Sequence, residues 1–66
     1  MQITLNGQSK NFTKNISLSA LIDEVSNANK RVIAEINGTI IKKDQWDSTI
    51  INLNDEVELV TFVGGG

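Results

Sequence analysis

The chain has 66 residues, six of them Lys or Arg and eight Asp or Glu, giving a formal net charge of -2, and it lacks His, Cys, Pro and Tyr. That length accommodates one domain around one small core. Without Cys or His there is no thiol nucleophile, disulfide, imidazole base or zinc knuckle, so self-contained catalysis is not expected.

Other classes are excluded on similar grounds. The basic residues include only isolated pairs, Lys30-Arg31 and Lys42-Lys43, which is a poor match to a phosphate backbone, so no nucleic-acid partner is expected. The acidic residues do not fall at calcium-loop spacing, and no metal site is expected. No apolar run approaches membrane-spanning length, so no membrane partner is expected. The opening MQITLNGQ has neither the basic region nor the apolar stretch of a signal peptide, and the expected location is the cytoplasm.

In chain order, Ile3 and Leu5 alternate with Gln2 and Thr4, the period of a half-buried strand. Asn6-Gly7 follows, a strong hairpin signal because both central positions of a type I′ turn need positive φ. The return strand is predicted over 8–13, with Phe12 as its core anchor. Leu18, Leu21, Ile22 and Val25 then fall at i, i+3, i+4 and i+7, which predicts one helix over 18–27 capped by Ser17. A strand is predicted at Val32–Ile36, a second Asn-Gly turn at Asn37-Gly38, and a continuation through Thr39–Ile41. Residues 42–49 read as a loop with room for one helical turn, in which Trp46 pins the segment to the core. Ile50, Ile51 and Leu53 are expected as a short strand or a covering segment. After an Asn54-Asp55 turn, Glu56–Val63 is the longest strand signal in the chain.

A lone helix and a one-faced sheet each need an apolar cover, and laying one on the other supplies both. The expected class is α+β, a β-grasp (ubiquitin-like) mixed sheet of four to five strands. One main helix would pack on one face, and the first and last strands would run parallel at the centre. In the final strand, Val57 and Leu59 share one face and Glu58, Val60 and Phe62 the other. The first set is expected in the core. Val60 and Phe62, with Glu58 beside them, are expected outside, as a partner-binding patch or as ordinary scattered surface apolarity. Asp55, Glu56 and Glu58 are candidates for steering toward a basic surface, with a merely solvated face as the alternative.

Gly64-Gly65-Gly66 follow directly. The expected division is a domain over 1–63 and a flexible tail over 64–66. Such a tail is a rod of about 10 Å with no Cβ to obstruct a narrow channel. A frayed terminus is the alternative.

These features together resemble the ThiS family of sulfur carrier proteins in thiamin (thiazole) biosynthesis. The resemblance runs through Leu5-Asn6-Gly7, the central run from Val32 to Ile41, Lys43-Asp44-Gln45-Trp46 and Leu53-Asn54-Asp55-Glu56-Val57-Glu58-Leu59. It ends in Phe62-Val63-Gly64-Gly65-Gly66. The family's terminal Gly-Gly maps onto Gly65 and Gly66. Molybdopterin-synthase (MoaD-like) and Urm-type tRNA-thiolation carriers share the tail chemistry but are usually longer.

The resemblance implies a protein cosubstrate with no cofactor of its own, rather than an enzyme. It implies that a ThiF-like adenylyltransferase, with ATP and magnesium, adenylates the Gly66 carboxylate. Sulfur originating from a cysteine desulfurase would convert it to a thiocarboxylate, and a ThiG-like thiazole synthase would take the sulfur. A small β-grasp binding module with an inert tail is the reading from a different class.

Overall fold

The computed structural model describes residues 1–26 and 30–63, with the backbone alone for Lys30 and Val63. Both Asn-Gly pairs make the expected reversals. Asn6 and Gly7 have φ of 50° and 82°, and Asn37 and Gly38 have 52° and 85°, values that type I′ geometry requires and that L-residues other than Asn and Asp rarely adopt. The first turn joins β1 (Gln2–Leu5) to β2 (Gln8–Asn11), and the second joins β3 (Lys30–Ile36) to β4 (Thr39–Ile41), both antiparallel. The return strand stops at Asn11 rather than Thr13. Phe12 lies just beyond it, partly buried against the core.

Helix α1 spans Leu18–Val25. Its exposed N–H groups are satisfied almost entirely from outside the helix. The Ser17 hydroxyl accepts from Ala20 N–H at 3.0 Å. Leu18 N–H donates to the Thr49 carbonyl at 2.8 Å and Ser19 N–H to the Trp46 carbonyl at 3.2 Å. Leu18, Leu21 and Ile22 are buried as the stripe predicts, but Val25 is 42% exposed. It is the last helical residue, and Ser26 is already extended (φ -125°, ψ 154°), so the stripe runs past the packed region there. Asn27, the expected helix end, lies outside the described residues.

The strands form one mixed sheet in the order β2-β1-β5-β3-β4, where β5 spans Glu56–Val63. Strand β5 runs parallel to β1 and antiparallel to β3. Ile3, Ala34, Val57 and Leu59 of the sheet form one buried cluster with Leu18, Leu21 and Ile22 of the helix and with Ile51. This is the β-grasp architecture. Of the two readings for 50–53, a short strand or a covering segment, the structure shows the covering segment. Only a single bridge joins Ile50 to Ser17, and Ile51 N–H donates to the Ile16 carbonyl at 2.9 Å while its side chain is fully buried. Residues Lys43–Gln45 form the expected helical turn, of 3₁₀ type. Trp46 Nε1–H donates to the Ile41 carbonyl at 2.9 Å and ties this loop to the end of β4.

Two asparagine side chains hold β5 in place. Asn37 accepts Glu56 N–H on its Oδ1 at 2.9 Å, and its own N–H donates to the Glu56 carbonyl at 2.8 Å. On the other side, Asn6 Oδ1 accepts Leu59 N–H at 2.8 Å, directly after Asn6 N–H has donated to the Val57 carbonyl at 2.9 Å. The Asn6→Gly variant keeps the positive φ and removes only the amide. It should lose about 1–2 kcal/mol in urea unfolding, the net value of a part-buried hydrogen bond plus some backbone entropy. An unchanged midpoint would mean that this bond contributes nothing.

Candidate functional site

The antiparallel register between β3 and β5 sets Arg31 opposite Phe62, Ile33 opposite Val60 and Glu35 opposite Glu58. Directly opposed residues share a face. That face is the one turned away from the helix, because the alternate positions Val57, Leu59 and Ala34 are buried. Val60 is 52% exposed and Phe62 44%, and Ile33 and Ile40 on neighbouring strands are exposed as well. Ile40 pairs with Glu35, so it stands on the same face.

The uncovered face is therefore divided in two. On β1 and β2 it is polar, with Gln2 Nε2 donating to Ser9 Oγ at 2.9 Å. On β5, β3 and β4, Val60 and Ile33 form a central apolar row, with Phe62 beside Arg31 in the row on one side and Ile40 beside Glu35 and Glu58 in the row on the other. These exposed apolar side chains adjoin one another on one face instead of standing singly.

Sequence reasoning picked out Glu58, Val60 and Phe62 and missed Ile33 and Ile40. The alternation within 32–36 shows that Ile33 and Glu35 share a face. Which face that is depends on pairing with β5.

The acidic candidates separate. Asp55 is committed to the turn before β5. Its Oδ2 accepts Asn52 N–H at 2.8 Å and its Oδ1 accepts from Asn37 Nδ2 at 3.0 Å. Glu56 is exposed at the start of β5. Glu58 is exposed and faces Glu35, with no ion pair to either among the described residues. Among the described residues no group of His, Cys, Asp or Glu is placed to hold a metal ion, and no helix is long and apolar enough to cross a membrane. Gly64, Gly65 and Gly66 lie outside the described residues; β5 leads to them, ending at Val63.

A helix on one face of this five-stranded sheet and an apolar strip on the other make the molecule a ubiquitin-like module. The ThiS family model matches residues 3–66. The ycf40 protein of Porphyra purpurea is 36% identical over 66 residues, covering 100% of this chain and 93% of that protein. A thiazole synthase of Paramagnetospirillum magneticum is 32% identical over 66 residues, and the chain spans 20% of that protein's length. The crystal structure of the thiamine biosynthesis protein ThiS from Geobacter metallireducens superposes with a TM-score of 0.82 at 28% identity, covering 100% of both chains. The chain belongs to the ThiS family of sulfur carriers.

Like charges directly opposed across a sheet destabilise it by roughly 0.2–1 kcal/mol. Replacing Glu58 with Lys should raise the thermal midpoint at low ionic strength. The gain should shrink near 1 M salt, where the screening length falls to about 3 Å. A salt-independent gain would point to packing rather than charge.

Proposed function

We propose that the chain is the sulfur carrier for thiazole formation in thiamin biosynthesis, working in the cytoplasm through a C-terminal thiocarboxylate on Gly66. The observation that carries this reading is a family match running to Gly66 itself. A homologous segment within thiazole synthases supports the assignment to that pathway.

In this mechanism the chain supplies a reacting carbonyl and a docking surface, and its partners supply the active sites. A carboxylate resists nucleophilic attack because it is anionic and oxide is a poor leaving group. The Gly66 carboxylate, ionised at neutral pH, attacks the α-phosphorus of ATP in a ThiF-like adenylyltransferase and expels pyrophosphate. That enzyme's magnesium and cationic groups neutralise the phosphate charge. AMP is then a good leaving group: the terminal sulfur of a persulfide supplied by a cysteine desulfurase displaces it to form an acyl disulfide. A partner thiol attacks the distal sulfur of that bond, leaving as a disulfide and freeing the thiocarboxylate. The resulting thiocarboxylate is delivered to a ThiG-like thiazole synthase, and the carboxylate is restored. Gly64 and Gly65 have no Cβ, so they can follow Gly66 into a channel that would stop a side chain. Glu58, Val60 and Phe62, with Ile33 beside them, form the contact surface that places the tail.

Intact-mass spectrometry after incubation with the ThiF-like enzyme, magnesium-ATP and a sulfur source should show one oxygen replaced by sulfur at Gly66. Adding the thiazole synthase and its substrates should reverse it. Loss of the sulfur only to a molybdopterin or tRNA acceptor system would change the pathway, and no gain with an active partner would defeat the carrier reading. Separately, Phe62→Ala should weaken binding to the ThiF-like enzyme by about 2 kcal/mol, or roughly 30-fold, while the exposed position leaves folding nearly unchanged. An unaltered dissociation constant in titration calorimetry would remove Phe62 from the contact.

A further inference from the structure

Strand β5 outruns its neighbour β1. Their parallel register covers only Thr4–Glu56 and Leu5–Val57. Asn6 N–H then bonds the Val57 carbonyl, and Asn6 Oδ1 takes Leu59 N–H, which ends the ladder as the chain turns away at Gly7. Hydrogen-bonding directions alternate along a strand. Val57 and Leu59 bond toward β1, whereas the Glu56 carbonyl bonds toward β3, to Asn37 N–H. Thr61 therefore directs both its N–H and its carbonyl to the β1 side, together with the Leu59 carbonyl. Among the described residues no strand stands there.

We propose that this edge, from Leu59 to Val63, is a strand-addition site for an extended segment of the enzyme that activates the Gly66 carboxylate. The proposal rests on the function proposed above. Main-chain pairing at this edge would hold the last residues before the glycines in one direction and one register, which a side-chain patch alone does not do.

Two observations favour this edge and this occupant. The segment from Val60 to Val63 carries no charge, whereas the open edge of β3 beyond the β4 pairing is bordered by Lys30 and Arg31, the kind of charge that discourages strand addition. The edge is also short, about 13 Å at strand rise. A second copy paired through it alone would bury well under the roughly 1,000 Å² of a stable interface. A partner that also covers Ile33, Val60 and Phe62 on the adjoining face reaches further.

The test compares wild type, Thr61→Pro, Thr61→Val and a synthetic chain whose Thr61 amide is an ester, titrated with the ThiF-like enzyme and magnesium-ATP. Proline removes an N–H that the β3–β5 ladder does not use, so folding should persist. The ester removes the same donor without a ring, and valine keeps the donor while removing the hydroxyl. Thr61→Pro and the ester should bind about tenfold or more weakly, with Thr61→Val near wild type. The Thr61 amide should exchange quickly in the free protein and slowly in the complex. Equal binding of all four, with Thr61 exchange unchanged by the enzyme, would overturn the edge while leaving the carrier reading intact. A wild-type chain that neither binds nor gains sulfur would overturn both. A free dimer that Thr61→Pro dissolves would assign the edge to a second copy and overturn the proposal.

Discussion

The structure depends on the placement of one strand. Strand β5 must pair in parallel on one side and antiparallel on the other, and both ladders must agree on which of its residues face the helix. Asn37 holds its start against β3 and Asn6 holds its middle against β1, each through a side-chain oxygen on a β5 N–H. A slip of one residue would bring Glu58 and Val60 under the helix and expose Val57 and Leu59. The two turns that reverse the chain thus also set the register of the strand leading to the glycines.

A core this small leaves little margin, and its parts are tied together across long sequence distances. The loop carrying Trp46 and Thr49 supplies carbonyls to the first turn of the helix, and Ile51 fills the core from a segment with no regular structure. Among the described residues, nothing covers the other sheet face. It keeps Val60, Phe62, Ile33 and Ile40 exposed and sets two carboxylates opposite each other. That arrangement costs stability in the free protein, through apolar surface left to solvent and two like charges side by side.

Much of the fold was legible because its signals are local. The Asn-Gly pairs announce positive φ whatever surrounds them, the Leu18–Ile22 spacing announces a helical stripe, and Ser17 sits where a cap is needed. Alternation along 56–63 separated Val57 and Leu59 from Val60 and Phe62 within one strand. The misses are of another kind. Val25 matched the helical period, yet the helix ends at it. The return strand stopped before Phe12. Asp55, expected in a turn and also a candidate steering charge, has both carboxylate oxygens engaged by Asn52 and Asn37 at that turn.

The sequence by itself determined the two reversals, the helix and its cap, the inward and outward sets of the last strand, and the family, because each depends on neighbouring residues or on the order of motifs. Only the tertiary structure decided that Ile33 and Ile40 join Val60 and Phe62 on one face, that the asparagine amides reach β5, and that β5 extends past β1 with Thr61 on an open edge. Those outcomes follow from the register between strands far apart in the chain. Period and propensity say which residues share a side of one strand, but hydrogen-bond pairing determines what lies beside them.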